Sequence, residues 1–240
     1  MAGDPRDTPA MQQYYRFKRA HPGCVLLFRI GDFYECFDED AVVIAKALGL
    51  TLTRRTEGLP MAGVPYHQLE VYLKRLVQQG FKVAIGEQVE DAAQAKGLVK
   101  REVTRVVTPG TVVEDSLVED DASITIAAVA FLGVGEESPA ALAIVEASTG
   151  EFLVMETSAE GVIDELARRR VRELLYAPTG DGMTPPPRVK RVLEGLGLSG
   201  TPRPTWHFRA EEAREAVFTH FGVKTATGFG LRDEDPALTA

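Results

Sequence analysis

Hydrophobic and polar positions change sharply around residue 31, and this change is the clearest structural signal in the chain. Residues 24–30 (CVLLFRI) form an apolar run of the length of a buried strand. The glycine and aspartate at 31–32 predict a turn directly after it. Residues 38–48 then show helical spacing. The tripeptide 33–35 (FYE) lies between turn and helix, where side chains can be held rigidly at the surface.

The rest of the first half alternates between helical and extended patterns. The predicted elements are helices at 8–21 and 67–79, strands near 50–54, 81–89 and 103–108, and a Gly- and Pro-rich loop at 56–66. This alternation is typical of a mixed α/β domain. We expect that domain to occupy residues 1–111.

An acidic linker is predicted at 112–122, and a second α/β domain at 123–240. The predicted elements of this domain are strands at 124–132, 140–147, 152–156 and 172–176, and helices at 158–170, 188–196 and 211–221. Its first three strands follow one another with short turns, which indicates a sheet that begins with hairpins.

Composition indicates a soluble globular protein, with 45% hydrophobic and 26% charged residues. The longest apolar stretch, 124–134, is shorter than the about 20 residues that a membrane-spanning helix needs. The polar N-terminus, 1–13, is unlike a signal peptide. Two cysteines in the whole chain fit a reducing compartment. We therefore expect a cytoplasmic protein without a membrane partner.

The net charge of −8 argues against a protein that simply coats DNA. Its distribution is uneven, because residues 1–115 hold 15 basic and 15 acidic side chains while 116–240 hold 12 and 20. The first half is therefore the better candidate for contact with phosphates. Its visible basic clusters are Arg54 with Arg55, and Lys96, Lys100, Arg101 and Arg105. The alternative interpretation of both clusters is solvated surface charge.

Phe33 and Glu35 are the candidate site residues with the most specific chemistry. A rigid aromatic ring can be pushed between stacked bases, and a neighbouring carboxylate can accept a hydrogen bond from a base edge. Phe28 and Phe37 are better candidates for the core, because they fall in the strand and on the helix face. The structural alternative for Glu35 is a local cap or pairing near the helix start, together with Asp32.

Five sequence blocks, in order and with the family's spacing, resemble the mismatch-recognition domain of the bacterial DNA mismatch-repair family MutS. They are MQQYY at 11–15, FRIGDFYECFDEDA at 28–41, LTRR at 52–55, PMAGVPYH at 60–67 and VTRVVTPGT at 103–111. A weaker resemblance continues from 147–152 to 221–222. The resemblance implies a mixed-sheet recognition domain followed by a ribonuclease H-like connector domain.

The resemblance also implies roles for particular residues on mismatched double-stranded DNA. Phe33 would stack on a mispaired base, and Glu35 would hydrogen-bond that base. The loop at 60–67 would lie along the groove and backbone. The residues implied in groove and backbone contacts are Arg54, Arg55, Met61, Pro65, His67, Lys96 and Arg105.

For the second domain, the resemblance implies binding of a MutL-type repair partner through the helix at 211–221. The candidate contacts are Glu211, Arg214 and Glu215. A competing hypothesis is a metal-dependent nuclease on the ribonuclease H-like half, with Glu146 as a metal ligand. Such nucleases need two or more converging carboxylates, and only Glu146 lies on its strand. Glu146 is therefore interpreted as structural, with the nuclease kept as the less favoured alternative.

No phosphate-binding loop of the G-x-x-x-x-G-K-[ST] type occurs in the sequence. The resemblance implies that ATP, Mg²⁺ and the homodimer contacts belong to regions beyond this length. We therefore expect an N-terminal fragment that is not an enzyme by itself and uses no cofactor.

Overall fold

The computed structural model describes residues 4–90, 97–111, 124–180 and 182–240, and the chain divides into two compact units, Met1–Asp120 and Asp121–Ala240. Lys96 and the predicted acidic linker lie outside the described residues. Both units combine helices with a mixed sheet, which confirms the predicted α/β class.

A six-stranded sheet forms the frame of the first unit. Its elements are α1 (Pro9–Ala20), β1 (Cys24–Ile30), β2 (Phe33–Phe37), α2 (Asp38–Leu48), β3 (Thr53–Thr56), β4 (Leu59–Pro65), α3 (Leu69–Gln78), β5 (Lys82–Gln88) and β6 (Arg101–Val107). The strand order is β3-β4-β2-β1-β5-β6. Strands β1 and β5 are parallel, and the other neighbouring pairs are antiparallel.

Helices cover both faces of this sheet, which explains why β1 is apolar along most of its length. On the α1 face, Tyr14 packs edge-on against Phe28 and Phe37, with ring centroids 5.6 and 5.0 Å apart. On the α2–α3 face, the alternate positions of β1, Val25 and Leu27, join a second core. A residue's place in the alternation therefore decides which face it occupies.

Two predictions for the first unit are wrong. Residues 33–37 form strand β2 rather than a passage from turn to helix, and the predicted loop at 56–66 contains strand β4. These two strands pair with each other, with Phe33 opposite Pro65 and Glu35 opposite Gly63. The glycine and proline content of 56–66 predicted a loop, but cross-strand pairing outweighs the poor strand propensity of these residues.

The second unit contains a five-stranded sheet of order β11-β10-β7-β8-β9. Its elements are β7 (Thr125–Phe131), β8 (Ala140–Glu146), β9 (Glu151–Thr157), α4 (Gly161–Arg168), β10 (Glu173–Tyr176), α5 (Pro187–Leu196), β11 (Ser199–Pro202) and α6 (Ala210–Phe221). The antiparallel hairpins β7–β8–β9 agree with the predicted start of the sheet, and β10 runs parallel to β7 and β11. The short strand β11 (SGTP) was not predicted, because its residues are typical of a turn.

Candidate nucleic-acid interface

The β1–β2 hairpin presents one aromatic ring to solvent. Its turn contains Gly31 with a φ of 58°, a left-handed conformation that glycine adopts without a steric penalty. Phe33 follows at the first position of β2 and is 47% exposed, whereas Phe28 and Phe37 are 0% and 1% exposed. The prediction that Phe28 and Phe37 belong to the core is therefore confirmed. Phe33 is the ring of this hairpin that is free to meet a ligand.

Glu35 lies two residues after Phe33, so strand alternation places both side chains on the α1 face of the sheet. The Glu35 side chain is only 16% exposed, and its Oε2 accepts a hydrogen bond of 2.8 Å from Nη1 of Arg55. Gly63 stands opposite Glu35, where an added Cβ would lie 2.9 Å from the Tyr34 carbonyl oxygen and 3.4 Å from Glu35 Cγ. Only glycine at 63 leaves the Glu35 side chain in this place undisturbed.

Arg55 reaches Glu35 from β3, where Thr53 pairs with Met61 of the α1-face core and alternation places Arg55 on the same face. Its guanidinium carbon lies 5.7 Å from the ring centroid of Phe37, on the α1 face. The sequence offered a cap or local pairing near the helix start as the alternative for Glu35, whereas its partner in the structure is Arg55 on another strand. Arg55 is therefore already engaged by a carboxylate of the candidate site.

Burial and the neighbouring guanidinium groups have opposite effects on the protonation of Glu35. Burial raises the pKa of Glu35, and the guanidinium of Arg55 opposes that rise, with a smaller contribution from Arg101. Arg101 is buried, and its Nε donates a 2.6 Å hydrogen bond to the carbonyl of Arg29. The sequence pattern did not single out Arg101 as a site residue, since it resembled one more charge in a basic cluster.

The β3–β4 edge holds most of the other predicted contact residues. Arg54 is exposed on β3, Pro65 lies opposite Phe33, and His67 is exposed in a short 3₁₀ helix after β4. Met61 is partly buried against the α1-face core, so its side chain is less available than a loop position would make it. Arg54, Met61 and Pro65 thus lie on strands beside the Phe33 hairpin, and His67 follows directly after them.

Arg105 is not brought together with Phe33 and Glu35. Strand β6 places it opposite Ile85 on the α2–α3 face, where its Nη2 donates hydrogen bonds of 3.1 and 3.0 Å to both carboxylate oxygens of Glu70. A phosphate contact by Arg105 would therefore be made from the other face of the sheet.

Arg29 is a further polar residue of the β1–β2 hairpin, and it was not predicted from the sequence. It is the one charged residue in the apolar run of β1, and this exception was the available signal. Its guanidinium carbon lies 4.1 Å from the ring centroid of Tyr66 and 5.4 Å from that of Tyr34. The Arg29 side chain is 17% exposed, which shows that the charge is enclosed by its neighbours.

In the second unit, Glu146 holds a turn together. Its Oε1 accepts a 2.6 Å hydrogen bond from the Ser148 hydroxyl, and its Oε2 accepts one of 2.7 Å from the Thr149 amide. These bonds, the Ser148 hydroxyl first, lower the pKa of Glu146 to about 2. Within the described residues, no group of three or more His, Cys, Asp or Glu side chains is arranged to hold a metal ion.

We expect Glu146→Gln to lower the melting temperature of the chain at pH 7. The depressed pKa means that the ionised carboxylate stabilises the fold above about pH 4.5, and that this stabilisation is lost as the pH falls toward 2. The difference in melting temperature between wild type and variant should shrink over that interval. Glu151→Gln, at the exposed end of the same turn, is the control. A difference that does not change with pH would contradict the turn-stabilising role.

Helix α6 carries the three predicted partner contacts. Glu211 and Glu215 are exposed, Arg214 is half-buried, and their spacing of three and four residues places them on one face. The described helices include none that is both long and apolar enough to span a membrane.

Comparison with known proteins identifies the class to which this two-unit fold belongs. The family model of MutS domain I matches residues 8–116, and that of MutS domain II matches residues 124–240. The chain therefore belongs to the MutS family, which confirms the resemblance drawn from its sequence blocks.

Individual relatives agree with this assignment. The DNA mismatch repair protein MutS of Symbiobacterium thermophilum is 40% identical over 242 residues, which cover 97% of this chain and 27% of the relative. Proteins with the same name from Anaeromyxobacter dehalogenans strain 2CP-C and Methanosarcina mazei are each 42% identical, over 97% and 93% of this chain and 26% of each relative. The chain thus spans about a quarter of the length of these relatives.

Proposed function

We propose that this chain recognises mispaired or unpaired bases in duplex DNA and so begins mismatch repair. The observation that carries the proposal is the 47% exposed Phe33 ring at the start of β2, beside the enclosed carboxylate of Glu35. Membership of the MutS family and relatives named for DNA mismatch repair support it.

The Phe33 ring would act as a wedge between neighbouring base pairs. Unstacking one step costs about a few kcal/mol, and a mispair has already lost part of that stacking and pairing energy. Steps next to a mispair also bend more easily. A wedge therefore selects deformable sites and needs no fixed sequence, as a protein that searches for errors requires.

Glu35 would add discrimination against correct duplex. A carboxylate close to phosphates is repelled, and a correctly paired base has its pairing edge occupied. A mispaired base offers a hydrogen-bonding edge that Glu35 can use. Because Arg55 holds Glu35 in the free chain, we propose that Arg55 turns to the DNA backbone when Glu35 engages the base.

The remaining basic residues near this edge would position the duplex. Phosphate contacts fix register and orientation but carry no sequence information. Arg54 is exposed on the edge strand β3 and pairs with Pro60, so alternation places it, like Arg105, on the face opposite to Phe33. Arg54, Lys96 and Arg105 remain proposed phosphate contacts, with Arg54 and Arg105 acting from that face.

Arg54→Ala is expected to weaken binding to matched and mismatched duplexes by the same factor. Removing one phosphate contact should also reduce the slope of log affinity against log salt by about one. Arg232→Ala, an exposed arginine of the second unit, is the control. A loss confined to the mismatched duplex would show that Arg54 contacts the mispair instead.

The experiment that tests the proposed function is a pair of titrations of the 240-residue chain. The duplexes differ only in one G·T pair, and about 50 mM salt is used because phosphate attraction is strongest at low salt. Tighter binding to the G·T duplex is expected, with the full-length Symbiobacterium thermophilum relative as a positive control. Equal affinities of the chain for both duplexes would overturn the proposal.

A second proposed function is binding of a MutL-type repair partner through the connector unit. The common face of Glu211, Arg214 and Glu215 on α6 is the observation that favours it.

We propose no catalytic role and no cofactor for this chain; ATP, Mg²⁺ and homodimer contacts would involve further regions of a full-length family protein. The burial of both cysteines, Cys24 and Cys36, agrees with the cytoplasmic location proposed for it.

A further inference from the structure

Arg29 lies on the opposite face of the sheet from Phe33, directly under the hairpin that carries that ring. Alternation along β1 places it with Val25 and Leu27 on the α2–α3 face. A buried charge is costly unless partners satisfy it. The partners of Arg29 therefore indicate what its side chain does.

The Arg29 guanidinium joins three segments of the hairpin region. Its Nε donates a hydrogen bond to the carbonyl of Gly31, and its Nη1 lies 3.8 Å from Oε1 of Glu87 on β5. The same group stacks on Tyr66 at 4.1 Å and approaches Tyr34 at 5.4 Å. Contacts between a cation and a ring at such distances are attractive.

Tyr34 and Glu87 complete this cluster. The Tyr34 hydroxyl donates a hydrogen bond to Oε2 of Glu87, whose Oε1 accepts one of 2.9 Å from the Gln88 amide. Burial, and then Glu87, raise the pKa of Tyr34 to about 12, so the hydroxyl keeps its proton at neutral pH. The side chain that follows Phe33 is thereby tied to β5.

Backbone contacts fix the residues on the other side of Phe33. The amide of Tyr66 donates a 2.9 Å hydrogen bond to the carbonyl of Asp32, and Arg101 Nε donates one of 2.6 Å to the carbonyl of Arg29. Phe33 thus stands between a turn held at Gly31 and Asp32 and a tyrosine held at Tyr34. Arg29 contacts both of these supports.

We propose that Arg29 is a positioning residue for mismatch selectivity, which acts through Phe33 by holding the β1–β2 turn rigid. The inference rests on the proposed function, since it needs Phe33 to be the wedge. A ring that enters a base stack must transmit force to its backbone. If the turn were mobile in the free chain, ordering it on binding would cost conformational entropy and reduce the free energy of binding. Arg29 supplies this order before DNA arrives.

Arg29→Met tests the inference, because it keeps much of the side-chain length and removes the charge and the hydrogen bond to Gly31. We expect the ratio of G·T to matched affinities to fall about tenfold, the equivalent of losing the order of about one residue. Arg29→Lys keeps the charge opposite Glu87 but not the planar stack on Tyr66, and should restore only part of the ratio. Arg75→Met is the matched control, since Arg75 lies 5.8 Å from the Tyr72 ring and donates to the Leu48 carbonyl on the same face, away from the hairpin.

A double-variant cycle separates positioning from general destabilisation. If Arg29 acts through Phe33, Arg29→Met has no further effect on the affinity ratio in a Phe33→Ala background. Tyr34→Phe, which removes only the hydroxyl bond to Glu87, is a milder second variant and should lower the ratio in the same direction while the chain stays folded.

The outcomes of the two proposals are distinguishable. If Phe33→Ala lowers the ratio of G·T to matched affinities to about one while both Arg29→Met and Tyr34→Phe leave it unchanged, the positioning role of Arg29 is overturned. The role of Phe33 as the wedge then stands. If Arg29→Met weakens both duplexes equally in either background, Arg29 is a phosphate contact or a fold-stabilising residue, and the inference is wrong. If Phe33→Ala leaves the ratio unchanged, both proposals fall.

Discussion

Replacing Phe33 with alanine is expected to abolish the preference for a mismatched duplex, so that the ratio of G·T to matched affinities falls to about one. Entry of the ring unstacks a base step at a cost of about a few kcal/mol, and this cost is lower at a mispair, so the preference depends on the ring. Because the ring is 47% exposed, its loss should change the free energy of unfolding by less than about 1 kcal/mol. Titrations of both duplexes and a denaturant melt measure the two effects.

Phe229→Ala is the matched control for this variant, since Phe229 is 52% exposed and lies in the second unit. It removes a similar exposed ring and should leave the affinity ratio unchanged. A loss of several kcal/mol of stability in Phe33→Ala would identify Phe33 as a core residue. In that case the wedge would have to be sought elsewhere in the chain.

Glu35→Ala has the second largest expected effect, and it acts differently on the matched and mismatched duplexes. Matched-duplex affinity should rise or stay unchanged, because the variant removes a repulsive carboxylate and releases Arg55 for phosphates. Mismatched duplex loses the hydrogen bond to its base, so the gap between the two affinities narrows. Titration of both duplexes at one salt concentration measures the gap.

The charge state of Glu35 provides a control for this prediction. Burial raises the pKa of its carboxyl, so protonation begins at a higher pH than for an exposed glutamate. As the pH falls toward that pKa, matched-duplex affinity of the wild type should rise more than that of Glu35→Gln, which has no charge to lose. Should Glu35→Ala weaken both duplexes equally, Glu35 is a structural partner of Arg55 and not a discriminating residue.

Local patterns in the sequence were sufficient to predict the strands and helices that are strongly apolar. Strand β1 and helix α2 were found because each buries a regular set of apolar side chains. Strand β4 was missed because glycine and proline are poor strand residues, and its extended form depends on pairing with β2, some 30 residues away. The strand propensities of single residues carry no information about a contact between distant segments.

Phe33 and Glu35 were predicted as site residues, whereas Arg29, Arg101 and the geometry of the site were not. Phe33 and Glu35 followed from the turn and from the resemblance to a known family. The pairing of Glu35 with Arg55 depends on the strand order β3-β4-β2 and on the pairing of Thr53 with Met61, which sets the face that Arg55 occupies. The separation of Arg105 from both depends on the register of β6, where a one-residue change would move a side chain to the other face.

The most direct measurement of the wedge is the fluorescence of 2-aminopurine placed beside a G·T pair, which rises when the base loses its stacking. At saturating concentrations of the wild-type chain, the signal should rise on the mismatched duplex and remain low on the matched one. At saturating concentrations, the Phe33→Ala variant should bind the mismatched duplex without a rise in fluorescence. An equal rise for wild type and Phe33→Ala, or no rise with either, would contradict the entry of Phe33 into the base stack.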